Sequence, residues 1–217
     1  MNIEGPKTLM VLLEAQGGLA AAVGEELARL ERELGEDGAV VAMDQLPDAP
    51  GDQAAWDVVV KLVGPDVDRL IRCVDGLDRR LGDTVGDAEV LAGTDRTVFT
   101  NPVPPDAVTL LFAMYGGEGV SREEFAIHWH EDHAELVRHN PFVRSYHQLH
   151  ADAEATRRAV DATGLGSGDL YGVAECDFVS AATFGEMLAT ELIEREAVDI
   201  LSISDVTRNT AVLTRRR

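Results

Sequence analysis

The order in which this chain switches between strand-like and helix-like hydrophobic spacing constrains its fold more than any single residue does. "KTLMVLLEA" (7–15) is a short apolar run rich in strand formers, and "GGLAAAVGEELARLERELGEDG" (17–38) follows with helical spacing and a glycine stop. "AVVAMDQL" (39–46) and "AWDVVVKLVG" (55–64) are two further strands, separated by the turn-rich "PDAPGDQ" (47–53). "DVDRLIRCVDGLDRRLG" (66–82) is amphipathic again, and "AEVLAGTDRTVFT" (88–100) closes the set as a strand. The order is β-α-β-β-α-β.

The same order then recurs. "AVTLLFAMY" (107–115) is a strand, "SREEFAIHWHEDHAELVRHN" (121–140) a helix, and "FVRSYHQLH" (142–150) and "LYGVAECDFV" (170–179) are strands. "AATFGEMLATELIEREAV" (181–198) is helical and "VTRNTAVLT" (206–214) is the last strand. Between the two sets, "TNPVPPD" (100–106) holds three prolines in seven residues, which can neither continue a helix nor pair as a central strand. The boundary therefore separates residues 1–103 from 104–217. A second irregular stretch, "ADAEATRRAVDATGLGSGD" (151–169), reads as a long loop of the kind that serves as a lid or stays disordered.

A β-α-β-β-α-β unit is ferredoxin-like: an antiparallel sheet with both helices on one face. The bare face needs cover. Two units in one chain supply it by packing sheet to sheet, so the expected fold is α+β, an intrachain pseudo-dimer forming an α+β barrel. Such a chain can also pair again as a homodimer.

Charge narrows the partners. A net charge of −20, spread evenly with 20 acidic residues in 1–105 and 19 in 106–217, disfavours nucleic acid and anionic membrane alike. Two cysteines 103 positions apart, with no CxxC, fit a reducing cytoplasm, and the start lacks the charge pattern of a secretory signal. No glycine-rich phosphate loop follows a strand, so no bound cofactor is expected.

All six histidines fall between His128 and His150. Ser121 with Glu124 forms a capping box at the start of their helix, and Asn140 before Pro141 ends it. At ~100° per residue, Phe125, Trp129, Leu136 and Val137 share a stripe that contains His133, while His128 and His130 flank it. His128, His130 and His133 cannot meet at one ion from such a helix, so no metal site is expected. Two readings of His133 stay open: a core imidazole satisfied by backbone or Asp132, or a group lining a cavity. The strand favours the second, because Arg144, Tyr146, Gln148 and His150 make one face unusually polar, opposite Val143, Ser145, His147 and Leu149.

Residues 107–214 resemble an EthD domain of the dimeric α+β barrel superfamily. The resemblance rests on "SREEFAIHWHEDHAELV" as the family's helix, "FVRSYHQ" as its Arg-x-Tyr strand and "YGVAECDFVS" as its Gly-x-Ala-Glu strand; His133-Ala134-Glu135-Leu136 stands where His-Ala-Pro-Leu is usual. It implies a small-molecule pocket between sheet and helices, in a superfamily of lactone isomerases, polyketide cyclases, decarboxylases, dehydratases, cofactor-free oxygenases and accessory proteins of haem monooxygenases. The first half, a degenerate copy, replaces a partner subunit and leaves one working pocket. On this reading the ligand is an aromatic, polyketide-like or lactone molecule. His133 moves the proton, Tyr146 stabilises an oxyanion and Cys176 assists. Trp129, Arg144, His147, Gln148, Phe112 and Glu175 contact the ligand.

Overall fold

The computed structural model describes residues 3–47 and 56–217, so all of the expected turn at 47–53 except Pro47 lies outside the described residues. The described residues form eight strands with helices among them, beginning β1 (Lys7–Ala15), α1 (Leu19–Leu34), β2 (Ala39–Gln45), β3 (Val58–Gly64), α2 (Val67–Cys73), α3 (Leu77–Leu81) and β4 (Val85–Thr100). The second half continues with β5 (Val108–Met114), α4 (Arg122–His128), α5 (Ala134–Arg138), β6 (Ser145–Ala151), α6 (Ala153–Thr163), β7 (Gly172–Phe178), α7 (Ala181–Leu188), α8 (Glu191–Leu201) and β8 (Thr210–Arg216).

The strands close into one antiparallel barrel in the order β1-β3-β2-β8-β5-β7-β6-β4. Each half contributes a four-stranded sheet of ferredoxin-like order, β4-β1-β3-β2 and β8-β5-β7-β6, so the α+β pseudo-dimeric fold is formed within a single chain. The two seams differ in length. β4 pairs with β6 from Gly93↔Ala151 to Thr100↔Ser145, with a bulge between Thr97 and Phe99, whereas β2 meets β8 only over Met43↔Arg216, Asp44↔Arg215 and Gln45↔Thr214.

Both faces of the barrel wall are covered, which explains why β1 reads as an unbroken apolar run. Met10 and Leu12 point into the barrel with Trp56, Leu91, Leu149 and Val173; Leu9, Val11 and Leu13 point outward under the helices of the first half. A third apolar cluster lies between the second sheet and its helices, around Phe125, Trp129, Tyr146 and Phe178. Inside the barrel, Lys61 is buried against Asp95 (Nζ to Oδ2 2.6 Å) and Glu175, joining strands from both halves. No helix among the described residues is long and apolar enough to cross a membrane.

The stretch 151–169 is not the long loop its composition suggests. Asp152 caps α6 by accepting from the Ala155 N–H, and Ala155, Thr156, Ala159 and Thr163 make its buried face. That face packs on the first half: Thr156 Oγ1 donates to Ala92 O at 2.9 Å, and Ala155 and Ala159 join the core under α1 and α2. Small residues hid this helix, because alanine and threonine give the stripe little hydrophobic contrast.

Candidate functional site

The site is built on the helix over residues 122–138. Its start is fixed by the expected capping box: the Glu124 N–H donates to Ser121 Oγ at 3.2 Å and the Ser121 N–H to Glu124 Oε2 at 2.9 Å. One turn, Trp129–His133, is π-helical. In an unbroken α-helix His128 and His133 would stand about 140° apart, but an i→i+5 turn brings them onto one face. Both then reach Asp199 on α8, His128 Nε2 to Oδ1 at 3.1 Å and His133 Nδ1 to Oδ2 at 2.9 Å. The acceptor expected from sequence, Asp132, instead lies beside His128 Nδ1 at 3.2 Å.

The ionised Asp199 carboxylate can only accept, so His133 Nδ1 carries the hydrogen and Nε2 is left as the acceptor, with no protein partner among the described residues. Burial pulls the His133 pKa below its ordinary value, and the bond to Asp199 offsets part of that fall. At neutral pH the ring is a neutral, oriented base.

Strand β6 faces this helix with Tyr146, Gln148 and His150. The Tyr146 oxygen accepts from Trp129 Nε1 at 2.8 Å and from Gln148 Nε2 at 3.2 Å, and Gln148 Nε2 also donates to Trp129 O at 2.7 Å. With two donors on its oxygen, the phenol is left to donate its own proton. Burial first, and nearby Cys176 second, hold its pKa well above the usual tyrosine range, so that proton stays on. The Trp129 ring rests on Gly172 of β7, where a Cβ would come within 2.3 Å of Cζ3. This contact explains the glycine of the Gly-x-Ala-Glu strand.

Between sheet and helices lies a cavity of about 380 Å³. Leu110, Phe112 and Leu213 line it from the strands, and Phe184, Ile193 and Ile200 from α7 and α8. His133, Tyr146, Cys176, Glu196 and Gln45 supply its polar atoms, and no lysine or arginine among the described residues reaches the wall. The hollow is thus mainly apolar, contrary to the polar lining expected from the β6 face. Of that face only Tyr146 opens onto it. In the first half, the space under α1 is nearly filled, to about 10 Å³, and Glu26 there is clamped by Arg29 and Arg80.

Four of the residues singled out in the sequence line the cavity: His133, Tyr146, Cys176 and Phe112. The remaining candidates do not. Trp129 and Gln148 stand behind Tyr146 and hold its hydroxyl. Glu175 and His147 turn to the barrel interior, Glu175 onto Lys61 and His147 Nδ1 to Thr97 Oγ1 at 3.2 Å. Arg144 reaches Pro102 O at 3.5 Å, beside the interhalf linker. Burial, reinforced by Glu196, Asp177 and Glu175, raises the Cys176 pKa well above that of a free thiol, so it is a protonated wall group rather than a thiolate.

Asp199 and Glu196 were not singled out in the sequence. A signal existed for Glu196, which interrupts the apolar stripe formed by Ile193, Ala197 and Ile200 on α8. Asp199 gives none until its helix is placed against the π turn.

Residues 117–201 match the model of the EthD domain family. No curated protein matches the sequence. Among solved structures, an anthrone oxidase-like protein superposes with a TM-score of 0.69 at 10% identity, covering 99% of this chain and 92% of that one. A chlorite dismutase variant from Candidatus Nitrospira defluvii gives 0.57 at 10% identity, covering 98% and 91%. At these identities the likeness is one of fold.

Proposed function

Given an EthD domain at residues 117–201 within a closed barrel, we propose that the chain is a small-molecule enzyme that moves protons on an uncharged aromatic or polyketide-like substrate. Residues 104–217 carry the pocket and residues 1–103 act as the structural half. The observation that carries this reading is His133, oriented by Asp199, on the wall of an apolar hollow that Tyr146 also lines.

His133 Nε2 removes a proton from an acidic C–H or O–H of the substrate, and Asp199 stabilises the imidazolium that forms. The Tyr146 O–H donates to the enolate or phenolate oxygen, polarised by the two donors on its own oxygen. Isomerisation, cyclisation, dehydration and decarboxylation can all begin or end with such a transfer. Since no lysine or arginine among the described residues lines the cavity, an aromatic ketone, phenol or neutral lactone fits it better than a carboxylate. Cys176 remains a weak donor on the wall.

An oxygenase reading begins with the same step, because deprotonating an anthrone gives an electron-rich carbanion able to react with oxygen. The likeness to an anthrone oxidase-like fold supports it. One substrate tests both. With anthrone in D2O under nitrogen, the protein should speed exchange of the methylene protons; in air, oxygen uptake marks the second reading. His133→Ala should slow exchange ~100-fold or more and Tyr146→Phe about 100-fold. Undiminished exchange in His133→Ala would refute the proton-transfer mechanism.

A further inference from the structure

Glu196 faces the cavity but has no part in the scheme above. It lies on α8 one turn before Asp199, so the two carboxyl groups share a helix face. Only 7% of the residue is exposed. Asn140 Nδ2 donates to its Oε1 at 3.0 Å, and that amide cannot flip without losing a bond, because Asn140 Oδ1 accepts from the Phe142 N–H at 3.0 Å. The second oxygen, Oε2, has no protein partner among the described residues, and no lysine or arginine forms an ion pair with Glu196. Burial therefore prevails and raises the Glu196 pKa, with Asn140 and Arg195 offsetting a part. His133, on the same cavity wall, is shifted the opposite way. The two groups on one cavity wall are thus shifted toward each other, each toward its neutral form, the direction that suits a base and an acid acting as a pair.

We propose that Glu196 is the proton-returning acid of this cavity, working with His133 to carry out a prototropic shift on an uncharged, enolisable ketone. The proposal rests on the proton-transfer reading of His133. In the forward step His133 Nε2 takes the proton next to the carbonyl and the C–H electron pair becomes a C=C bond. The carbonyl π pair moves to oxygen, which receives the proton of Glu196 Oε2. The products are the enol, an imidazolium and a carboxylate. In the return step the carboxylate recovers the enol O–H proton while the imidazolium protonates a different carbon of the conjugated system. Both side chains end as they began, and no outside reductant, oxidant or acid is consumed.

Glu196→Gln keeps an acceptor for Asn140 and a hydrogen-bond donor toward the cavity but has no transferable proton. With anthrone in D2O under nitrogen, it should exchange protons ~100-fold more slowly than the wild type while anthrone Kd stays within roughly threefold. Independently of any substrate, infrared spectra recorded through an acid titration should show a protonated-carboxyl C=O band that persists above the ordinary glutamate range in the wild type and that Glu196→Gln lacks. Wild-type exchange in this variant, or a band that survives the substitution, overturns the assignment. If exchange is lost in His133→Ala but kept in Glu196→Gln, the Glu196 role alone falls; if it is kept in His133→Ala, the underlying reading falls.

Discussion

Replacing Asp199 by asparagine is the sharpest probe of the π turn. The carboxylate serves two rings with one oxygen each, Oδ1 for His128 and Oδ2 for His133, and asparagine has only one oxygen to offer. One histidine keeps an acceptor and the other faces an NH2 group, which forces a change of tautomer. The His133 side chain is 9% exposed and Asp199 20%, so solvent screens the pair only partly. A charge-assisted bond contributes about 1.5–3 kcal/mol against 0.5–1.5 for a neutral one, so protonated His133 loses about 1–2 kcal/mol. That loss lowers the His133 pKa by roughly one further unit and slows anthrone exchange by about 5–30-fold. The sign follows from linkage. His133 folds with a pKa below its unfolded value, so stability falls as pH drops through about 6.5, and Asp199→Asn extends that decline to lower pH. NMR titration of the His133 ring, assigned by its loss in His133→Gln, reads the shift directly. A His133 pKa that stays put or rises in Asp199→Asn would refute the reasoning, whatever the rate does.

Two other perturbations test the scaffold. Lys61→Met leaves Asp95 and Glu175 buried without their shared cation, which should cost about 3–5 kcal/mol and lower Tm by about 10 °C in thermal melts; a change under a degree or two would show that the triad is dispensable. Burial, helped by His130 and Arg96, holds His150 down at about 3, so below about pH 6.5 only the unfolded chain takes up its proton. Between pH 6 and 4 this group should remove about 1.4 kcal/mol of stability per pH unit, and urea midpoints should fall less steeply in His150→Gln; equal slopes would point to another group.

The order of elements was legible because strand and helix spacing survive without knowledge of partners. Alternation along "FVRSYHQLH" sets Tyr146, Gln148 and His150 against the helix and Ser145, His147 and Leu149 toward the barrel, as observed, but it fails at Val143, which precedes the start of β6 at Ser145 and packs in the helix-side cluster instead of on the opposite face. The inward turn of His133 was legible for the same reason. What escaped was whatever depends on contact between distant segments. The π turn has no periodic signature, so a strict α-helix kept His128 apart from His133. Asp199 lies 66 residues beyond His133, and α8 gives no hint of where it docks. Counting Gln148 among ligand contacts followed from its polar strand face, yet its amide is consumed in holding Tyr146 and Trp129.

A barrel built by two identical chains must repeat each of its voids, together with the packing energy each void forfeits. Encoding both sheets in one polypeptide lifts that obligation. The near-solid packing under α1 and the open chamber beside α8 amount to broken symmetry, in which one sheet is packed full against its helices while its sibling stays hollow.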